Sequence, residues 1–301
     1  MSLAAFPAEL IYHTIEYLSQ EDLNAFVQTS RFYYQFNTTL YDVDRRQGSS
    51  ALMWAAAYGD THTAQHALPT KKVSPEDRKC IQQAFRLAVE NSHCAMVVIL
   101  AKWHADINAR EGFFGNALQT AAWMGDYWMV ALLIDLGANV NTQGGYYGNA
   151  LQVASWRASW TGNDNVLELL LRADANVNAE GGYFGNALQA AAWGGRLHTM
   201  RLLLKSGAQP NTQGGYYGSS LQAASWRGHK HVVRLLLQLG ARADAPGGHY
   251  GSAIKAAGMG GHRLLLCLLY CSCIHQTIRS SFGHLVIALG EINKGNAVSV
   301  I

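Results

Sequence analysis

Charge is what this chain has least of. Charged residues fill 14% of its 301 positions, against roughly 25% in an average soluble domain. The formal net charge is only +3, and lysines and arginines are scattered rather than gathered into a stripe. That removes the electrostatic footprint of a nucleic-acid binder. No apolar run is long enough to span a bilayer. The longest, Leu264–Tyr270 with its extension to Ile274, is about half the necessary length. Five cysteines at irregular spacing form no disulfide framework and read as reduced thiols, Cys80 and Cys94 inside helices. The opening MSLAAFPAEL has no basic segment leading into an apolar run and a cleavage site, so no secretory signal is expected. The expectation is a soluble chain of the cytoplasm or nucleus with no membrane segment.

What fills the space left by charge is glycine, thirty of them, together with one recurring phrase. It reads GFFGNALQ at Gly112–Gln119, GYYGNALQ at Gly145–Gln152, GYFGNALQ at Gly182–Gln189, GYYGSSLQ at Gly215–Gln222 and GHYGSAIK at Gly248–Lys255. Equivalent anchor positions are Ala51, Ala84, Ala117, Ala150, Ala187, Ser220 and Ala253. They step by 33, 33, 33, 37, 33 and 33 residues, so about seven repeats are in phase. A fixed period of this length means stacked supersecondary units, whose extended surface suits binding better than chemistry.

Within one repeat the residues dictate helix, turn, helix and finger. Asn116 is placed to cap a first helix, and Gln119 three positions on completes a capping box. The pair recurs as Asn149/Gln152, Asn186/Gln189 and Ser219/Gln222. Leu118, Ala121 and Ala122 give that helix a narrow apolar face whose small side chains allow close approach. Gly125 breaks it. A second helix follows through Val130, Leu132, Leu133 and Leu136, and Gly137 ends it in a left-handed conformation. A Gly-aromatic-aromatic-Gly turn then projects as a finger before the next cap.

Helix–turn–helix–finger in 33 residues, with wording such as Leu202-Leu203-Leu204-Lys205-Ser206-Gly207-Ala208, resembles the ankyrin repeat. The Gly-Gly-Tyr-Tyr-Gly finger is similar to ankyrin arrays of filamentous fungi. The resemblance covers roughly Ser50 to Tyr270 and implies an all-α ankyrin-repeat solenoid. Three departures stand out. Pro69–Asp77 replaces the usual ending of the first repeat, so its finger is irregular or absent. The fourth repeat carries four extra residues, Ala158–Thr161, assigned to its inter-helix turn. The seventh loses its wording after Leu269.

Ahead of the repeats lies a different text. Pro7 suits a first helical turn, and Leu10, Ile11, Ile15 and Leu18 follow at helical spacing. Asp22-Leu23 and Ser30-Arg31-Phe32 open two further short helices. A three-helix element this small seldom folds firmly unaided. Its wording from Phe6 to about Asp42 resembles an F-box. That resemblance implies docking on the Skp-type linker of a cullin–RING ubiquitin ligase through Pro7, Leu10, Ile11, Ile15, Leu18 and Leu23. A helical cap sealing the first repeat is the alternative. The expected division is an F-box-like domain over 1–46, the repeat array over 47–274 and an irregular tail or degraded repeat over 275–301.

Candidate binding residues fall in two series. Trp123, Trp156, Trp193 and Trp226 end the first helices of consecutive repeats, where ankyrin proteins bind their targets. Either they form a ladder of contact hot spots, or they pack on their neighbours and on the finger above. The following residue varies as Met124, Arg157, Gly194 and Arg227, which marks it as a specificity position. Finger aromatics form the second series: Phe113/Phe114, Tyr146/Tyr147, Tyr183/Phe184, Tyr216/Tyr217 and Tyr250. One ring of each pair is expected inside and the other exposed, with Phe113, Tyr146, Tyr183 and Tyr216 as the binding candidates.

Other chemistry finds little support. The glycine-rich fingers lack the Lys-Ser/Thr of a phosphate-binding loop. Cys267, Cys271, Cys273 and His275 match no metal-ligand spacing, and no nucleophile–base–orienter set stands out. No catalytic residue, metal or cofactor is expected. The sequence reads as a monomeric interaction adaptor: an F-box subunit recruiting a protein target to a Skp–cullin–F-box ligase, or an ankyrin scaffold or nuclear transcription coregulator without that role.

Overall fold

A computed structural model describes residues 50–69, 73–110 and 113–274. These residues form helices and turns, with isolated bridges in place of strands. The helices come in consecutive pairs. They are α1 (Ser50–Tyr58) with α2 (Thr61–Ala67), α3 (Pro75–Glu90) with α4 (Cys94–Lys102) and α5 (Ala117–Met124) with α6 (Tyr127–Asp135). Then follow α7 (Ala150–Thr161) with α8 (Asn165–Arg172), α9 (Ala187–Gly194) with α10 (Leu197–Lys205) and α11 (Ser220–Arg227) with α12 (Lys230–Gln238). Last come α13 (Ala253–Met259) and α14 (263–274). No helix among the described residues is long and apolar enough to cross a membrane. The chain divides into two compact parts. Met1–Arg110 with Asn116–Asn139 make the first, and Glu111–Gly115 with Val140–Ile301 the second.

The caps lie where the residues predict. Asn116, Asn149, Asn186 and Ser219 each accept the backbone N–H three residues on, at 2.8–3.2 Å. First helices end on the left-handed glycines Gly125, Gly162, Gly195 and Gly228. In the second part α7 packs on α9, α9 on α11 and α11 on α13. Their seam is made of alanines: Ala154, Ala190, Ala191, Ala223, Ala224, Ala256 and Ala257 are all sealed from solvent. Behind them Leu170, Leu203 and Leu236 are fully buried, each contributing roughly 1.5–3 kcal/mol of hydrophobic stabilisation.

One expectation is corrected. Ala158–Thr161 form no turn; they lengthen α7 to twelve residues, where α5, α9 and α11 have eight. Four residues are close to one helical turn, so the insertion keeps the apolar face in phase, and Ala158 and Ser159 are buried. The first repeat's irregular stretch takes a definite form in its second half. From Pro75 onward it is the first turn of α3, closed by a capping box between Ser74 and Asp77.

The capping glutamines do more than cap. The reciprocal box closes at Asn149/Gln152, where the Gln152 carbonyl accepts the Asn149 N–H at 2.9 Å. The Gln152 amide also donates to the carbonyls of Ala179, Gly181 and Gly185 in the next finger, at 3.1–3.2 Å. Gln189 reaches Thr212 and Gly218 in the same way, and Gln222 reaches Ala245 and Gly247. Buried backbone oxygens of each finger are thus satisfied by the preceding helix. A second stitch runs along the far side, where Asn141 and Asn178 each bridge to the next repeat's backbone.

Candidate functional site

Each finger is a five-residue turn closed by one backbone bond, Gly144 N–H to Gly148 O at 2.7 Å and its equivalents at Gly181, Gly214 and Gly247. Neighbouring fingers are joined by a single bond each. The N–H of Tyr146, Tyr183, Tyr216 and His249 donates to the carbonyl of Phe113, Tyr146, Tyr183 and Tyr216 at 2.8–3.0 Å. Glycine is obligatory at Gly145, Gly182, Gly215 and Gly248. Their φ angles are +59° to +64°, and a side chain there would strike the preceding finger's backbone at Phe114, Tyr147, Phe184 and Tyr217. Fingers tied this way step at about 5 Å, whereas packed helices stay 8–10 Å apart. Within the second part, the finger side is therefore the shorter, inward-bending side.

That pitch turns the finger aromatics into two stacks. The outer row is Phe113, Tyr146, Tyr183, Tyr216 and His249, with successive ring centroids 5.3, 5.0, 5.1 and 4.7 Å apart and planes within 21°. The inner row is Phe114, Tyr147, Phe184, Tyr217 and Tyr250, spaced 5.9–6.4 Å. Within a finger the two rings stand nearly perpendicular, at 78–89°. Phe184 and Tyr217 are buried; Phe113, Tyr146, Tyr216 and His249 are exposed, and Tyr183 half so. One ring in and one ring out is the arrangement the sequence predicts. His249 extends the outer row although the sequence reading passed over it.

Tryptophans meet the inner row from the helix side. Trp156 stacks on Tyr147 at 5.6 Å and Trp226 on Tyr250 at 4.3 Å, while Trp193 lies tilted against Phe184 at 5.9 Å. All three are half-buried. The packing alternative holds: these rings lie against the fingers, and each keeps part of its surface exposed. Trp160 joins them. The added turn of α7 sets it 6.0 Å from Trp156 and 6.3 Å from Trp193, and 58% exposed. Sequence reasoning missed it; the signal was a tryptophan four residues after Trp156 inside the out-of-phase insertion.

The position after each tryptophan is not uniformly a specificity position. Arg227 is exposed and lays its guanidinium 4.5 Å over the Trp193 ring. Arg157 is half-buried beside Trp156. Gly194, in contrast, is glycine because a side chain there would collide with Ser159 in the extended α7. Trp123 and Met124, in the first compact part, are half-buried at the end of α5. Pro7, Leu10, Ile11, Ile15, Leu18 and Leu23 lie outside the described residues.

Titration follows burial. Burial pushes the Tyr146, Tyr147 and Tyr250 hydroxyls above the ordinary phenol range, with neighbouring tyrosines adding to it. The same cause, then a 3.4 Å contact with the Tyr183 hydroxyl, raises Tyr217 further. His229 moves the other way, held below its usual value first by burial, with Arg227 and His262 reinforcing the shift. Its ring N–H donates to the Trp193 carbonyl at 2.9 Å; His262 does the same to Trp226, and His93 to Ala57 at 3.0 Å. These bonds fasten each of these turns to the preceding one. Cys267, Cys271 and Cys273 are in no disulfide, and no cluster suited to a metal ion occurs among the described residues.

The family described as ankyrin repeats, in three copies, matches residues 52–144 and 152–246, together more than half of the chain. A comparison with curated proteins gave no match.

Proposed function

Because this chain belongs to the ankyrin-repeat family, we propose that it is a protein-binding module whose recognition face joins the outer finger row to the tryptophans of α7, α9 and α11. One observation carries this reading. Inner-row rings and the tryptophans pack around the core of Phe184, Ala190, Tyr217 and Ala223, joined from the outer row by the half-buried Tyr183, yet the rest of the outer row stands exposed beside it. Exposed aromatics in a contiguous patch are what interaction surfaces are made of. Phe113, Tyr146, Tyr183 and Tyr216 with Trp156, Trp160, Trp193 and Trp226 would supply the contact, and Arg157 and Arg227 its selectivity.

The test is partner capture by the full chain from its cell of origin. Tyr146→Ala with Tyr216→Ala should lose the partner while the chain still unfolds cooperatively, at a stability cost of about 2 kcal/mol. Undiminished capture would move the contact off this face.

A finer role rests on the N-terminal wording alone. Pro7, Leu10, Ile11, Ile15, Leu18 and Leu23 fit an F-box, which would make the chain an adaptor presenting its target to a Skp-type linker and raising effective concentration without chemistry of its own. Co-purification of the linker with the full chain, and its loss on Leu10→Asp plus Ile15→Asp with circular dichroism unchanged, would support this. A folded chain that never retains the linker leaves the scaffold role instead.

A further inference from the structure

We infer that the aromatic face of the second compact part takes an acidic protein segment. The inference rests on the binding role proposed above and concerns the chemistry that fits there. An aromatic ring is negative over its face and positive at its rim. In the outer row the faces are consumed by stacking at 4.7–5.3 Å. What Tyr146, Tyr183 and Tyr216 leave to solvent is therefore rim. One face of each of three tryptophans is covered too: Trp226 by Tyr250, Trp156 by Tyr147, and Trp193 by the Arg227 guanidinium. Much of the negative π-surface is thus covered, and the outer row shows its positive rims.

Full charges add to this. Arg157 and Arg227 follow their tryptophans, and Lys255 on α13 stands where the preceding repeats carry the finger-clamping glutamine. Among the described residues no ion pair engages any of the three. Two guanidiniums outside any ion pair, beside positive ring edges, suit carboxylates. Single-stranded nucleic acid fits less well, because base stacking needs an open ring face. The outer row runs about 20 Å from Phe113 to His249, the length of about six extended residues. Trp160, exposed at its side, offers the segment an apolar anchor point.

Fluorescence anisotropy with the full chain tests this, using three peptides of equal length. All carry leucine and phenylalanine at the same places, separated by glutamate, glutamine or lysine; oligothymidylate is the fourth probe. The glutamate peptide should bind at least about tenfold more tightly than the glutamine one, with the lysine peptide weakest, and salt should narrow the gap. Arg157→Glu with Arg227→Glu should reverse the order of the glutamate and lysine peptides at unchanged melting temperature. Equal binding of the glutamine peptide, preference for the lysine one, tighter binding of oligothymidylate, or no binding of any probe would each overturn the inference. The binding role is read separately. If charge makes no difference but Tyr146→Ala with Tyr216→Ala still releases the captured partner, only the acidic preference falls. If partner capture is also indifferent to those substitutions, both fall.

Discussion

Gly194 and Ser159 are packed so closely that the last residue of α9 has no room for a side chain. A methyl group on Gly194 would overlap the Ser159 Cβ. Ser159 belongs to the turn that only α7 has gained, and Arg196, next after Gly195, completes the fit by donating to the Ser159 carbonyl at 3.2 Å. Where three other repeats place His93, His229 or His262, this longer side chain holds the longer helix.

From that contact comes a reversal of sign. Glycine to alanine in a helix usually stabilises by about 0.5–1 kcal/mol. Gly194→Ala should instead destabilise by about 1–3 kcal/mol, the cost of overpacking, measured as a lowered urea midpoint.

The glutamine clamp predicts a second loss. Gln189→Leu keeps the volume but leaves the carbonyls of Thr212 and Gly218 without this donor. Stability should fall by about 1–3 kcal/mol. A shift under about half a kcal/mol would mean the clamp contributes little.

The two aromatic rows should respond differently to truncation. Phe184→Ala opens the core and should cost about 3–5 kcal/mol. Tyr216→Ala loses only stacking and should cost about 1 kcal/mol. Similar values for both would contradict the division into structural and exposed rows.

Acid should loosen the turn at His229. Its folded pKa lies below the unfolded value of 6.5, so the unfolded chain binds the proton more readily. The stability from this group is fully present above that value and is lost as pH falls through the lower, folded one. Thermal melts from pH 8 to pH 5 should show a slope that His229→Gln reduces. An unchanged slope would assign the acid sensitivity elsewhere.

Much of this was legible in the residues. Asn116, Asn149 and Asn186 announced caps because capping depends on a few adjacent atoms. Leucine and alanine spacing gave the seams for the same reason: a helical period survives in the sequence. Paired finger aromatics announced an inside and an outside ring. Trp160, His249 and the reason for Gly194 did not show, because each depends on a neighbour 33 or more residues away.

Local chemistry, then, fixed the repeating element: where helices start, where glycine stops them, and which side is apolar. Tertiary packing decided how the copies address one another. One backbone bond per finger set the 5 Å step that stacked the rings, and an added helical turn, in place of a loop, moved a tryptophan onto the exposed face. Neither follows from spacing along the chain, since both are set by distances between repeats.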